Sequence, residues 1–225
     1  MRGMFAQIAP RYDFITRVFS YGMDARWKRR AVAEAGLAPG ARVLDLACGT
    51  GDFSRLVAER VPGAKIVAAD LTPEMLRFAK SAGAGAVLCA DAMRLPFEDG
   101  CFDAVFVGYG LRNFPKLGEA VREIRRVLRP GGVLVSLDFF LPRFRALRQI
   151  YLGYLFVQGA IWGLALHGRA RTYTYIPDSL RGFVSAAGFV EMLNEAGYRD
   201  VRTRPFIFGG IAVHWAVREE YAIED

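Results

Sequence analysis

The alternation of short apolar runs with helical segments constrains the fold of this chain more than any other feature. Five runs between residues 42 and 138 have the character of buried strands: RVLDLA, KIVAAD, AVLCAD, FDAVFVG and VLVSLD. Helical patterns such as FSRLVAER and KLGEAVREIRRVL separate them, and an Arg-Pro-Gly-Gly turn at 129–132 is expected to lead into the fifth strand. Such an alternation is typical of a doubly wound α/β domain with a mainly parallel sheet.

The last part of the chain predicts an antiparallel ending to this sheet. The segments YRDVRTRPF and IAVHWAV follow the helix FVEMLNEAG and lie on either side of Gly209 and Gly210. Adjacent strands around a short glycine loop form a hairpin. We expect one domain over residues 1–225, with a helical N-terminal cover at 1–38 and an apolar lid insert at 139–177.

The loop after the first strand favours a particular kind of cofactor. VLDLACGTGD places Gly49 and Gly51 at the carboxyl end of that strand, where open α/β sheets bind their ligands. Ser54 stands where the dinucleotide fingerprint needs a third glycine, and no Walker lysine follows. Asp45 would repel a pyrophosphate but suits an amine. The loop therefore predicts S-adenosylmethionine, which carries a sulfonium and an amino group, rather than NAD.

Acidic residues end the next two strands. Asp70 can accept hydrogen bonds from both ribose hydroxyls, although it could also cap the next helix, a task for which Thr72 is better placed. Asp91, with Ala92 and Met93, can bracket an adenine. With the hairpin, this pattern predicts a Rossmann-like class I methyltransferase fold with a seven-stranded sheet. The expected cofactor contacts are Asp45, Ala47, Gly49, Thr50, Gly51, Asp70, Leu71, Met75, Asp91, Ala92, Met93 and Gly108.

The loop GYGLRNF, Gly108–Phe114, should face the methyl acceptor. It lacks the Asn/Asp-Pro-Pro-aromatic sequence with which many nucleobase methylases hold an amine. Cys101 precedes a buried strand and is interpreted as a small core residue rather than a nucleophile. The three cysteines have no zinc-like spacing, and their odd number indicates a reducing cytosol.

Six segments together resemble the ubiquinone/menaquinone C-methyltransferase family, in colinear order over nearly the whole chain. They are MFAQIAPRYDFITRVFSYGMDARW, LDLACGTGD, DAMRLPFEDGCFDAV, GLRNF, RVLRPGG and YTYIPDSLRGF. The resemblance implies methyl transfer from S-adenosylmethionine to a ring carbon of a polyprenyl hydroquinone, such as demethylmenaquinol or a ubiquinol precursor. It also implies that Thr50, Asp70, Asp91 and Ala92 contact the cofactor.

The chain departs from the usual pattern of that family at several positions. Thr16 replaces an asparagine, Asp24 a histidine, Gly108 a serine, Asp138-Phe139-Phe140 a Glu-Phe-Ser ending, and Val184 a proline. The assignment of S-adenosylmethionine as the cofactor is unaffected by these changes.

The resemblance places Arg112 and Asn113 next to the reacting ring. Because the pKa of an arginine lies above about 12, we assign Arg112 to holding a phenolate and Asn113 to donating a second hydrogen bond. His214 is the candidate general base, although a half-buried strand histidine is an equally good interpretation. The expected substrate contacts are Tyr12, Tyr109, Arg112, Tyr173 and Tyr175, and no metal ligands are predicted.

The apolar stretch YLGYLFVQGAIWGLAL, Tyr151–Leu166, is shorter than a typical membrane-spanning helix, which needs about 20 residues. A span here would also place the fifth strand and the terminal hairpin on opposite sides of a bilayer. We interpret the stretch as a lid that lines a lipid tunnel and rests on the inner face of the cytoplasmic membrane. Arginines at positions 143, 145, 148, 169 and 171 flank it and suit lipid headgroups. Homodimerisation through the same surface is the alternative.

A net charge of +7 suits nucleic acid, an anionic membrane or an acidic ligand, and many small enzymes are equally basic without a specific reason. No recognised RNA-binding module accompanies the arginines, so we expect no nucleic-acid partner. Two alternatives stay open: a methyltransferase for another apolar small molecule or lipid, and a non-catalytic cofactor-binding protein.

Overall fold

The computed structural model describes residue 5, residues 8–142 and residues 144–219, with the side chain of Arg145 left out. Seven strands form one sheet in the order β3-β2-β1-β4-β5-β7-β6. Their bounds are β1 Arg42–Leu46, β2 Lys65–Asp70, β3 Ala86–Cys89, β4 Phe102–Gly108, β5 Leu128–Phe139, β6 Tyr198–Phe206 and β7 Ile211–Arg218. β1 to β5 run parallel, and β7 pairs antiparallel with both β5 and β6. The predicted class I methyltransferase fold is confirmed.

Helices cover both faces of the sheet. They are α1 Tyr12–Phe19, α2 Asp24–Ala33, α3 Asp52–Arg60, α4 Pro73–Ser81, α5 Leu117–Val127, α6 Arg145–His167, α7 Arg171–Arg181 and α8 Ala186–Glu195. One apolar cluster joins α1, α2, α3, α6 and α7 to the first face of the sheet. A second cluster packs α5 and α8 on the opposite face. The N-terminal helices and the lid therefore share one side of the sheet.

β5 differs from the prediction at both ends. It begins at Leu128 instead of Val133, because Leu128 pairs with Phe102 of β4 and the expected turn becomes an irregularity within the strand. Gly131 makes this possible with a φ of 72°. The strand continues through Phe139, which pairs with Ile211, so the helical insert begins later than residue 139. β3 is shorter than predicted and ends at Cys89.

The insert forms a pair of closely packed helices, α6 and α7. Two glycines of α6 allow this approach. A Cβ on Gly159 would lie 2.9 Å from the carbonyl carbon of Tyr173, and one on Gly163 would lie 2.5 Å from the carbonyl oxygen of Arg169. Small residues at i and i+4 permit such close helix contacts.

α6 is the one helix in the described part of the chain that is long and apolar enough to cross a membrane, over Ala146–His167. However, β5 precedes it and β7 follows it, and these strands pair from Val133↔Val217 to Phe139↔Ile211. α7 has only 11 residues and is too short to return across about 30 Å of hydrocarbon. This geometry supports the interpretation of α6 as a lid rather than a span.

Candidate active site

A cavity of about 210 Å³ opens at the carboxyl ends of the parallel strands, and we call it the cofactor cavity. It is lined by most of the residues expected to contact the cofactor: Ala47, Gly49, Asp70, Leu71, Met75, Asp91, Ala92, Met93 and Gly108. Arginine and lysine are absent from the described residues that line it, whereas Asp70 and Asp91 face it. Such a lining suits an amine-bearing ligand without phosphate groups, as the sequence predicted.

Asp70 organises the loop that forms the floor of this cavity. Its Oδ2 accepts from the Gly49 N–H at 3.0 Å and its Oδ1 from the Thr72 N–H at 2.8 Å. Gly49 and Gly51 have φ values of 55° and 85°, a conformation that glycine adopts without strain. The side chain of Thr72 makes no capping hydrogen bond to α4. The cap expected of the Thr72 side chain is therefore not formed, and Asp70 joins the glycine loop to the residue that begins α4.

Asp45, Thr50 and Gly51 do not line the cofactor cavity. Asp45 and Thr50 line a second cavity of about 20 Å³ beneath the loop, together with Lys28. The Asp45 carboxylate accepts from the N–H and hydroxyl of Ser54 at 2.8 and 2.7 Å, and burial raises its pKa to about 7. Asp45 thus holds the start of α3, and the cavity that it lines shares Tyr12, Ala47, Gly108 and Tyr109 with the cofactor cavity.

The N-terminal helices close over this loop. Tyr12 packs its ring against Gly49, and Asp13 accepts a hydrogen bond from the Thr50 hydroxyl. The buried ammonium of Lys28 contacts Asp52 at 2.5 Å. These contacts join the predicted N-terminal cover to the cofactor loop. Residues 1–4, 6 and 7 of that cover lie outside the described residues.

A third cavity of about 20 Å³ has aromatic walls, and we call it the acceptor cavity because the predicted substrate residues line it. All five expected substrate contacts line it, namely Tyr12, Tyr109, Arg112, Tyr173 and Tyr175. Tyr12 also lines the cofactor cavity and so stands between the two spaces. The guanidinium carbon of Arg112 lies 4.9 Å from the centre of the Phe139 ring. The structure therefore brings one buried cation and several phenol rings together beside the cofactor cavity.

Asp138 contacts this group through Arg112 without lining the acceptor cavity, and it was absent from the predicted site. It is fully buried at the end of β5, and its Oδ1 lies 2.5 Å from Nη1 of Arg112. The same oxygen accepts from the Phe139 N–H at 2.8 Å. A sequence signal was present, because Asp138 ends the predicted strand VLVSLD as Asp70 and Asp91 end the predicted strands KIVAAD and AVLCAD. The pattern of acids at the ends of predicted strands therefore extends to the fifth strand.

Asn113 lies on the cofactor side rather than beside Arg112. Its Nδ2 donates to the Tyr109 carbonyl at 3.3 Å, and Asn113 lines the cofactor cavity. Its Oδ1 is buried and has no hydrogen-bond partner among the described residues. An unpaired buried acceptor is costly, so this oxygen fits a ligand that donates a hydrogen bond, such as one with an amino group.

His214 is not brought to either cavity. Its ring lies between those of Phe140 and Phe189, at centroid distances of 5.0 and 5.1 Å, on the face of the sheet that α8 covers. Burial lowers its pKa to about 4. Since the acceptor cavity lies on the other face, we assign His214 no proton-transfer role. The other histidine, His167, has its Nε2 2.9 Å from the hydroxyl of Tyr173.

Gly108 has a steric explanation. A Cβ at this position would lie 2.8 Å from Cε2 of Phe53 in α3. The phenyl ring therefore occupies the space that a serine side chain at position 108 would need.

Comparison with known proteins agrees with this geometry. The model of the ubiE/COQ5 methyltransferase family matches residues 1–218. The chain is 42% identical over 216 residues to the demethylmenaquinone methyltransferase of Thermus thermophilus, covering 94% of this chain and 98% of that one. It is 38% identical over 221 residues to the ubiquinone/menaquinone biosynthesis C-methyltransferase UbiE of Geobacter sp. strain M21, covering 94% and 93%.

Among solved structures, the fold resembles one from the complex between the Haloferax volcanii Trm112 methyltransferase activator and a putative methyltransferase. The TM-score is 0.71 at 18% identity, with 98% of each chain covered. This likeness concerns the fold. The sequence relatives and the match over almost the whole chain establish the rest: the protein is an S-adenosylmethionine-dependent methyltransferase of the ubiE/COQ5 family.

Proposed function

We propose that this enzyme methylates a ring carbon of a polyprenyl hydroquinone, with demethylmenaquinol as the acceptor. The observation that carries the proposal is the acceptor cavity, in which Arg112 is buried among aromatic rings and Tyr12 forms the boundary with the cofactor cavity. An aromatic ring with ionisable hydroxyls matches the chemistry of these walls and this cation, and the helical cover must move outward to admit it, because a cavity of about 20 Å³ holds about one water molecule. The names of the two sequence relatives support the same acceptor.

In this proposal the residues of the chain align the ring and stabilise its anion. S-adenosylmethionine, when bound, supplies an electrophilic methyl group. A ring carbon beside a hydroxyl becomes nucleophilic once that hydroxyl ionises, and Arg112 holds the resulting phenolate by charge. Tyr109, Tyr173 and Tyr175 enclose the ring, and the cover that carries Tyr12 excludes water. The oxidised quinone has no hydroxyl to ionise, so the acceptor must be the reduced form.

We also propose that the polyprenyl tail reaches the cavity from a membrane on which the lid rests. Most of the exposed large apolar side chains in the described residues belong to three neighbouring elements: Phe14, Tyr21 and Met23 near α1, Phe144, Ile150, Phe156, Val157, Ile161 and Leu164 around α6, and Phe208 at the hairpin tip. Ring contacts join Phe14 to Trp162 and Tyr21 to Tyr154, and Tyr151 bonds the Gly210 carbonyl at 2.7 Å. We call the ten exposed side chains from Phe14 to Phe208 given above the apolar face.

Charge supports a lipid partner for the apolar face. Arg169 and Arg171 lie at the end of α6 and the start of α7, and the chain carries a net charge of +7. Arg148 is partly engaged, since its Nε donates to the Pro142 carbonyl at 2.8 Å. Arg143 and the side chain of Arg145 lie outside the described residues. Each free arginine near an anionic surface contributes about 1 kcal/mol, which favours the inner face of the cytoplasmic membrane over a second subunit.

The test of the acceptor is methyl transfer from labelled S-adenosylmethionine to a short-chain demethylmenaquinol under anaerobic conditions, with and without dithionite. We expect one ring methyl by mass spectrometry, and only in the reduced sample. Cofactor binding without product on either naphthoquinols or benzoquinols would contradict the proposal and point to another apolar acceptor.

A further inference from the structure

Methylation of a ring carbon releases one proton, and the acceptor cavity must pass that proton to solvent. In the proposed function, the proton first leaves the hydroxyl that Arg112 then holds as a phenolate. Arg112 cannot accept it, because burial, which lowers its pKa, is outweighed by the adjacent Asp138 carboxylate, which raises it. His214 lies between Phe140 and Phe189 on the face that α8 covers. The proton therefore needs another route out of a site whose cation is only 4% exposed.

The hydrogen bond between Tyr173 and His167 provides such a route. Tyr173 lines the acceptor cavity and is 0% exposed, and its hydroxyl lies 2.9 Å from Nε2 of His167. His167 is the last residue of α6 and is partly exposed. The pair thus joins a buried wall of the acceptor cavity to an ionisable group that reaches solvent.

The other phenols that line the acceptor cavity lack such a partner. The Tyr109 hydroxyl is buried without a hydrogen bond among the described residues. Tyr12 and Tyr175 face the guanidinium of Arg112, which accepts no proton. Within the described part of the chain, Tyr173 is therefore the phenol that connects this cavity to a histidine.

We propose that Tyr173 and His167 form a relay that carries the hydroxyl proton of the hydroquinone from the acceptor cavity to solvent. The inference rests on the proposed function. Tyr173 meets the substrate hydroxyl, and His167 acts through Tyr173. The two residues belong to the closely packed helices α6 and α7, so their hydrogen bond is retained when this helix pair shifts to admit the ring.

The step balances in atoms and charge. The O–H bond of the hydroquinone breaks, its electron pair stays on oxygen as the phenolate, and the proton bonds to the Tyr173 oxygen. In the same step the O–H bond of Tyr173 breaks, and its proton bonds to Nε2 of His167, which becomes an imidazolium. The imidazolium releases its Nδ1 proton to solvent, and exchange with solvent then restores the Nδ1–H tautomer. After the ring carbon has gained its methyl group, its C–H proton moves through water to the ring oxygen, so one proton leaves per turnover.

The titratable groups that face the pair are Arg11 of the N-terminal cover and Tyr175 of α7, and they favour its neutral state. Burial and the charge of Arg11 lower the pKa of His167 below its ordinary value. Burial and Tyr175 raise the pKa of Tyr173 to about 12, while Arg11 opposes them. Arg11 also donates to the Leu166 carbonyl, which holds it beside the end of α6. Because an imidazolium cannot accept a proton, activity decreases as the pH falls through the pKa of His167.

The test measures pH profiles of kcat with demethylmenaquinol for the wild type, His167→Gln, His167→Ala and His214→Gln. A glutamine can accept the Tyr173 hydrogen bond but takes up no proton near neutral pH. We expect both His167 variants to lose about 10²-fold in kcat, together with the acid limb, whose wild-type midpoint lies below pH 6.5. Added imidazole should restore the rate of His167→Ala but not of His167→Gln, where the side chain fills the partly exposed position. His214→Gln changes the other histidine of the chain and should keep the wild-type profile.

Two further variants probe the relay from its neighbours. Arg11→Gln should move the midpoint of the acid limb to higher pH, because loss of the nearby cation raises the pKa of His167. Tyr173→Phe should lose about as much kcat as His167→Gln. The double variant should lose no more than either single one, since the two residues act in one relay.

Each arm can overturn the inference. A purely structural role of the pair would leave His167→Gln near the wild-type rate and His167→Ala without rescue by imidazole. An acid limb that stays in place in His167→Gln would assign the titration to another group. If Tyr173→Phe fails to fold, the His167 variants decide, because their position is partly exposed. A wild type that methylates no quinol would contradict the proposed function itself, a different outcome from an active wild type with an unaltered His167→Gln.

Discussion

At the scale of single residues, the site depends on two buried charges that the fold keeps together. Arg112 comes from the loop after β4 and Asp138 from the end of β5, and these strands are neighbours in the sheet. Their side chains are 4% and 0% exposed. Burial of such a pair is costly unless both charges have partners, so its presence beside an aromatic cavity indicates a chemical role rather than a stabilising one.

Arg112→Ala should separate chemistry from cofactor binding. Because Arg112 lines the acceptor cavity but not the cofactor cavity, we expect turnover to fall about 10²- to 10³-fold, with unchanged affinity for S-adenosylmethionine. Steady-state kinetics and calorimetry measure the two quantities. Arg122→Ala, at an exposed position of α5, is the matched control and should change neither. Unchanged turnover in Arg112→Ala would exclude the phenolate-holding role.

His214 should contribute to acid sensitivity rather than to catalysis. Its pKa of about 4 lies below the ordinary value of 6.5 because burial disfavours the imidazolium. The folded state therefore resists protonation that the unfolded state accepts below about pH 6.5, and stability decreases as the pH falls from that value toward 4. Between about pH 7.5 and pH 5 this amounts to about 2 kcal/mol of unfolding free energy.

His214→Leu should remove that part of the pH dependence, as measured by denaturant unfolding at the two pH values. His167→Leu is the matched control, since His167 is only partly buried at the end of α6 and should keep most of the dependence. Equal pH dependence in the wild type and His214→Leu would contradict the assignment.

At the scale of elements, the lid depends on the close approach of α6 and α7. Gly159→Ala would place a Cβ 2.9 Å from the backbone of Tyr173, so the helices must separate. We expect a loss of about 1–3 kcal/mol in unfolding free energy and a weaker apparent affinity for the quinol, because Tyr173 and Tyr175 line the acceptor cavity.

The same helix offers its own control. Gly153 is exposed, and a Cβ there would meet nothing within 4 Å. Gly153→Ala should therefore stabilise α6 by about 0.5–1 kcal/mol. Thermal unfolding of both variants checks the sign, and a Gly159→Ala protein as stable as Gly153→Ala would show that the contact is unimportant.

At the scale of the whole molecule, the apolar face predicts binding to lipid. We expect flotation with vesicles that contain anionic lipid, weakened by added salt because exposed charges are screened. Ile161→Asp/Leu164→Asp, on the exposed side of α6, should abolish flotation. Phe78→Asp, at an exposed apolar position of α4 outside the apolar face, should leave it unchanged.

Sedimentation of the same proteins without vesicles distinguishes homodimerisation through the apolar face from lipid binding. A wild-type dimer that Ile161→Asp/Leu164→Asp converts to a monomer, with no vesicle binding by either, would assign the apolar face to a second subunit.

The sequence by itself determined the fold and the cofactor. Strand and helix periodicities are local, and the carboxyl ends of parallel strands meet at one edge, so the chain order alone places Asp70, Asp91 and the glycine loop together. The glycines of the lid also stand at a spacing that the fold uses for helix contact. These features depend on short stretches of chain and on one topological rule.

Only the tertiary structure decided which side chains share the acceptor cavity. Arg112 lines that cavity and meets Asp138, 26 residues later, because β5 lies beside β4, whereas His214 lies one strand further, between Phe140 and Phe189 on the face that α8 covers. The face on which a strand residue lies depends on register, and one residue of displacement reverses it. Burial, which decides whether a carboxylate or an imidazole can carry a proton at neutral pH, results from packing by distant segments. A sequence pattern can nominate titratable residues, but the folded core sets their protonation.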